Sequence, residues 1–115
     1  MNNEVFVYLK VAGKIASQGG SYKHYFLGAV GVRKDGAIVT AFNVPTKEPS
    51  REAHAEYRLA RKLDRKATVY VARITSGGRV GLAKPCPSCL QRLTKGHVKK
   101  VYYTIAENEF GVITL

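Results

Sequence analysis

Residues 26–42 read FLGAVGVRKDGAIVTAF, and this stretch decides the kind of fold. Phe26 to Val32 is a nearly unbroken apolar run, and Ala37 to Phe42 is another. Between them stands Arg33-Lys34-Asp35-Gly36, whose Asp-Gly pair marks a tight hairpin turn. A strand with one face in water alternates apolar and polar residues. These two runs do not, so both of their faces must be covered. A sheet with helices packed on it is the arrangement that covers them.

Outward from the hairpin, the chain supplies those helices. Val5, Leu9, Ala12 and Ala16 fall at helical spacing, although Val5-Phe6-Val7-Tyr8 would also suit a strand. Gly19-Gly20 ends the element in either case. On the other side, Pro45 and Pro49 punctuate a loop, and Ser50 stands where it can cap a helix from about Arg51 to Leu63. Ala67 to Ile74 is apolar and β-branched enough for a buried strand. Gly77-Gly78 turns the chain, and Pro85 precedes a short helix from Cys86 to Lys95, closed by Gly96. Val98 to Ile105 and Val112 to Leu115 read as the last two strands. About six residues, Ala106 to Gly111, join them, against the dozen or more that a parallel crossover needs. An antiparallel terminal hairpin is expected, within a single α/β domain over residues 1–115.

The charge is one-sided: 19 Lys and Arg against 8 Asp and Glu, a formal net charge of +11. Between Arg65 and Ala106 there is no acidic residue at all. Such a potential attracts polyanions over long range, which points to a nucleic-acid or nucleotide partner. A hydrophobic content of 45% speaks against disorder. No apolar run reaches the ~18 residues of a membrane helix. The start Met-Asn-Asn-Glu lacks the features of a secretory signal. The expectation is a cytoplasmic protein with no membrane partner, or a domain cut from a secreted toxin.

The chemistry lies at the starts of two of these helices. His54-Ala55-Glu56 falls in the first turns of one, and Pro85-Cys86-Pro87-Ser88-Cys89 opens the next, after an intervening strand. The two cysteines, three apart, cannot staple distant parts of a fold, which leaves metal, redox chemistry or chance. The strand–helix context of a thioredoxin-type redox pair is missing. One imidazole and two thiolates suit zinc, and three protein ligands leave a fourth tetrahedral position for water. Glu56 is not needed as a ligand, and its place two residues from His54 lets it reach beside the metal as a proton carrier. A structural zinc site would want a fourth ligand, but His97 follows Gly96 at the wrong end of its helix.

His54-x-Glu56 with Pro85-Cys86-x-x-Cys89 is the H-x-E…P-C-x-x-C pattern of zinc deaminases. Over nearly its whole length the chain resembles the cytidine deaminase-like superfamily. That resemblance implies a three-layer α/β/α sandwich around a five-stranded mixed sheet, with Zn2+ as cofactor. The expected terminal hairpin is similar to the branch of free-cytidine and bacterial toxin-type deaminases. It departs from the branch of tRNA adenosine deaminases and antiviral polynucleotide editors, where a helix separates the last strands.

The substrate is approached from the remaining residues. Asn43 matches a position where the superfamily often contacts sugar or base. Ala55 and Cys86 offer backbone N–H groups at helix starts, and Pro85 adjoins them. Free-cytidine deaminases typically follow that Asn-Val with a Glu, where this chain has Pro45. They tend to carry Cys-Arg-Gln where it reads Cys89-Leu90-Gln91. Both departures, with the charge, favour cytosine in single-stranded DNA or RNA. Tyr103 and Phe110 are candidates for stacking on bases, and Arg51, Arg58, Lys84 and Arg92 for phosphate contacts. Free cytidine, deoxycytidine or a nucleotide is the alternative substrate. A non-catalytic nucleic-acid-binding module is a third reading, against which Glu56 argues.

Overall fold

The computed structural model describes residues 2–18, 25–42, 55–64, 66–75 and 78–115, with only the backbone of Asn2, Asn3, Gln18, Tyr25 and Tyr57. In chain order these form α1 (Asn2–Gln18), β1 (Tyr25–Val32), β2 (Ile38–Phe42) and α2 (Ala55–Ala60). There follow β3 (Thr68–Thr75), β4 (Val80–Gly81), α3 (Pro87–Lys95), β5 (Lys100–Ala106) and β6 (Glu109–Thr114).

The principal strand order is β2-β1-β3-β5-β6, with the two-residue β4 paired beside β3. Only β3 and β5 run parallel; the remaining pairs are antiparallel. This is the mixed five-stranded sheet expected, with β4 as a short addition. Two residues carry too little pattern to announce a strand.

The absence of polar alternation is explained by cover on both faces. Alternate residues of β3 point to opposite sides of the sheet. Val69 and Val71 join Leu27, Ala29, Ala55, Leu59, Leu93 and Val101 in a core beneath α2 and α3. Tyr70 and Ala72 join Val5, Leu9, Ala12 and Val30 in a second core beneath α1. The stripe Val5, Leu9, Ala12 and Ala16 is buried as helical spacing requires, so the strand alternative at residues 5–8 is set aside. Helix α1 lies so close to β1 that a Cβ at Gly28 would collide with its backbone at Ala12 and Ala16. That close approach is why glycine stands there.

Two sequence readings are corrected. Helix α2 ends at Ala60, not Leu63, because the chain tightens into a turn in which Lys62 N–H donates to the Leu59 carbonyl at 2.8 Å. Leu63 nevertheless packs against the core. The expected loop 106–111 is a two-residue turn at Glu107 and Asn108, from which β6 starts at Glu109. Asn108 has φ 60, which Asn tolerates better than most residues and which suits a hairpin. The antiparallel terminal hairpin itself stands, pairing Lys100–Thr104 with Phe110–Thr114.

Candidate active site

The start of α3 is set by its prolines. A residue before proline is pushed out of the helical region, and Cys86, before Pro87, has φ −69 and ψ 162. Pro87 then opens the helix, where its missing N–H costs nothing. The Cys86 carbonyl accepts the Leu90 N–H at 3.0 Å, so the helix begins with both cysteines in its first turn. The approach to Cys86 is pinned to β5: Ala83 N–H donates to the Thr104 carbonyl at 2.8 Å. The Thr104 hydroxyl, nearly buried, donates to the Gly81 carbonyl at 2.7 Å and accepts the Arg73 N–H at 3.3 Å. Thr104 thereby joins β3, β4 and β5 where the chain leaves β4 towards α3. Its hydroxyl amid Val-Tyr-Tyr-Thr-Ile was the one signal that a polar knot lay there.

Cys86 is half-buried, Cys89 is fully buried, and neither forms a disulfide. The Cys86 Sγ lies 3.5 Å from Ser88 Oγ. Burial pushes the Cys86 thiol up, but hydrogen bonds from Ser88 and from the backbone and thiol of Cys89 outweigh it. The net result is a thiol below its ordinary range. Ser88 was not singled out in the sequence, although its place between the cysteines was the available clue.

Helix α2 brings the carboxylate. Ala55 and Leu59, one turn apart, face the core with no exposure, and Glu56 follows at 2%. Burial pushes its carboxyl up to about 7, against hydrogen bonds from its own backbone N–H and from the Cys89 side chain. Its Oε1 is buried without a partner among the described residues. An unpartnered buried carboxylate oxygen costs free energy, and such groups mark strain or function. Here it sits beside a pair of reduced thiols, a donor set that fits zinc.

The other anticipated residues divide. His54, Asn43 and Arg51 lie outside the described residues. Pro85 is buried and Lys84 is exposed beside it, both on the approach to Cys86. Tyr103 is partly buried on the α2–α3 side, its ring lying over Gly111. Phe110 is instead on the α1 side, with ring centroids 5.2 Å from Phe6 and 5.8 Å from Tyr102. It is thus part of the packing across the sheet from Glu56, because residue 110 has the opposite parity to the β6 positions that face α2 and α3. Arg58 is also turned inward: Nη1 donates to the Phe42 carbonyl at 2.6 Å, and the guanidinium stands 5.2 Å from the Phe42 ring centroid. It clamps the end of β2. Arg92 is half-buried in α3.

Residues 3–105 match the family model of the cytidine and deoxycytidylate deaminase zinc-binding region. That span is most of the chain, which therefore belongs to this family of zinc-binding deaminases. The fold is similar to the cytidine deaminase of Burkholderia pseudomallei, at 20% identity and a TM-score of 0.72, covering 95% of this chain and 91% of that one. It is similar to the cytidine deaminase of Mycobacterium leprae at 20% identity and a TM-score of 0.65, with the same coverage of 95% and 91%. For the cytidine deaminase of Mycobacterium tuberculosis the values are 20%, 0.59, and 86% and 82%. At such identities the likeness establishes the fold. No curated protein matches the chain. No helix among the described residues is long and apolar enough to cross a membrane.

Proposed function

We propose that residues 1–115 form one deaminase domain that hydrolyses cytosine to uracil in single-stranded nucleic acid. In this reading His54, Cys86 and Cys89 hold the zinc and Glu56 carries the protons. The observation that carries the reading is the buried Glu56 carboxylate, in contact with Cys89 and with Oε1 unpartnered among the described residues. A carboxyl poised near neutrality can both accept and return a proton at the pH of the cell. When bound, zinc supplies Lewis acidity that makes water a nucleophile at neutral pH. Glu56 takes a proton from the attacking water and delivers it to the ring nitrogen of the base. Oxygen adds to the carbon bearing the amine, and a further proton through Glu56 lets ammonia leave. The backbone N–H of Ala55, at the start of α2, is assigned to holding the base, as are Asn43, Pro85 and Tyr103 in this reading. Lys84 and Arg92 are the phosphate contacts proposed near α3, and Arg51 and Arg58 are the others. For Arg58, the bond to Phe42 argues for holding the β2 exit that leads to Asn43.

The substrate rests on the net charge of +11, which a free nucleoside does not require. A second reading, free cytidine, deoxycytidine or a nucleotide, is favoured by the names that the family and the similar structures bear. The two part in one experiment: deamination of cytidine, deoxycytidine, single-stranded DNA, double-stranded DNA and RNA assayed side by side over a range of salt. Turnover greatest on single strands and falling steeply with salt is the expected outcome. Turnover confined to nucleosides and indifferent to salt moves the assignment to the second reading. No turnover on any of them, with zinc bound, leaves only the non-catalytic module.

A further inference from the structure

At the opposite end of the sheet from Cys86, where β3 and β5 begin, three connections converge on a cleft of about 660 Å³. The β1–β2 turn contributes Lys34, the entry to β3 contributes Lys66, and the link from α3 to β5 contributes His97 and Lys99. Thr94, Val98 and Leu115 complete the lining. The carboxylates nearest this rim are occupied. Arg33 pairs with Asp35 at 3.5 Å and with Asp64 at 3.7 Å. Asp64 also accepts the Lys34 backbone N–H, and Asp35 that of Ala37. Among the described residues no ion pair takes up the ammonium groups of Lys34, Lys66 or Lys99. The negative end of α3, which points here, is capped by its own chain: Gly96, Val98 and His97 N–H groups take the carbonyls of Arg92, Leu93 and Thr94.

The backbone supplies an independent observation. The non-glycine residues with positive φ are Lys66, His97 and Asn108 among the described residues. Asn108 is at ease in that region. Lys66, at φ 65, is not, whereas histidine enters it more readily; Lys66 and His97, at φ 60, both line this cleft. They are bonded to each other, the Lys66 N–H donating to the His97 carbonyl at 2.8 Å. Glycine would serve the conformation better at either position. A lysine kept where glycine is preferred points to a use for the side chain itself.

We propose that this cleft is a phosphate-backbone subsite, holding the same single strand whose cytosine is deaminated at the other end of the sheet. The inference rests on the polynucleotide reading above. From Lys99 to Thr104 the sheet spans roughly 17 Å at ~3.3 Å per residue. A stacked strand covers that distance in about five nucleotides at ~3.4 Å each. Short substrates therefore reach only the catalytic end, and longer ones reach both.

The test uses the zinc-loaded protein and a labelled oligothymidine, which holds no cytosine to turn over. Lys66→Gly with His97→Gly should keep or raise Tm while weakening oligothymidine binding several-fold. Lys34→Ala with Lys99→Ala provides a second pair that leaves the backbone conformation alone. The slope of log affinity against log salt should flatten by ~0.7 for each lysine removed. KM for a long strand carrying one cytosine should rise, with no rise for a cytosine trinucleotide. Unchanged affinity and salt slope in both pairs, with Tm held, overturns the cleft assignment and leaves the substrate reading standing. An equal KM increase for trinucleotide and long strand also overturns it, since the effect would then arise at the catalytic end. Wild-type protein that deaminates cytidine yet fails to bind oligothymidine overturns the polynucleotide reading, and this inference with it.

Discussion

On the α1 side of the sheet, aromatic rings meet one another in sequence. Tyr8 stacks on Tyr70 at 4.8 Å, Tyr70 on Tyr102 at 5.2 Å, and Phe110 bridges Tyr102 to Phe6 edge-on. Such pairs add ~0.5–1.5 kcal/mol each beyond the area they bury. On the α2–α3 side, β3 contributes Val69 and Val71 to an aliphatic core beside which an acid and one thiol are buried and a second thiol is half-buried. One face of the same strand is satisfied by packing. The other keeps a carboxylate oxygen without a partner among the described residues. Stability and chemistry are thus drawn from opposite faces of one sheet, and the comparison predicts which substitutions trade one for the other.

The largest effect should come from Glu56→Gln, which keeps shape and removes the charge. Turnover is expected to fall by ~10²–10⁴-fold, the usual scale of general acid–base catalysis. Metal analysis should show zinc retained, and urea unfolding of the metal-free protein should show stability equal to or above wild type. Surviving turnover, or a large loss of stability, would break the division between the faces. Cys89→Ser, a near-isosteric change at a fully buried position, should lose zinc and turnover together while the metal-free fold persists. Normal zinc content in that variant would remove Cys89 from the proposed ligand set.

A middle-sized effect belongs to the other face. Tyr70→Ala deletes the ring shared by two stacked pairs, and a loss of ~3–5 kcal/mol is expected from truncating a buried aromatic residue. Chemical denaturation measures that loss, and kcat of the fraction that remains folded should hold near wild type. A proportionate fall in kcat would mean that the faces are coupled.

The smallest effect sharpens the same point with pH. Burial, then the negative charge of Glu4 and the neighbouring phenols of Tyr102 and Tyr8, push the Tyr70 hydroxyl from 10 to about 12. A folded value above the unfolded one means that this contribution is whole below pH 10 and is lost as pH rises through 12. Tyr70→Phe should therefore lose less stability than wild type between neutral pH and pH 12, the difference being read from paired urea titrations. Equal alkaline losses in the two proteins would show that the hydroxyl titrates freely and that the ring stack is open to water.

Much of this was determined by local order in the chain. The Asp-Gly hairpin, the buried strand at 67–74, the stripe of α1, the proline-opened α3 and the short last connection each follow from rules acting over a few residues, and each is present. So is the family, because His54-x-Glu56 and Pro85-Cys86-x-x-Cys89 form a spaced pattern of side chains with specific chemistry. What the tertiary structure alone decided was which face each side chain meets and what it touches there. Phe110 and Tyr103 look alike as aromatic residues near a turn, yet strand parity sends one to α1 and the other towards α2 and α3. Arg58 reads as a candidate phosphate contact, yet the end of β2 takes its guanidinium. Lys66 and His97, 31 positions apart in the chain, are brought into hydrogen bonding by the parallel pairing of β3 with β5. Short-range pattern specifies elements because their geometry repeats every few residues. Contact between elements depends on how whole surfaces close on one another, which no local stretch encodes.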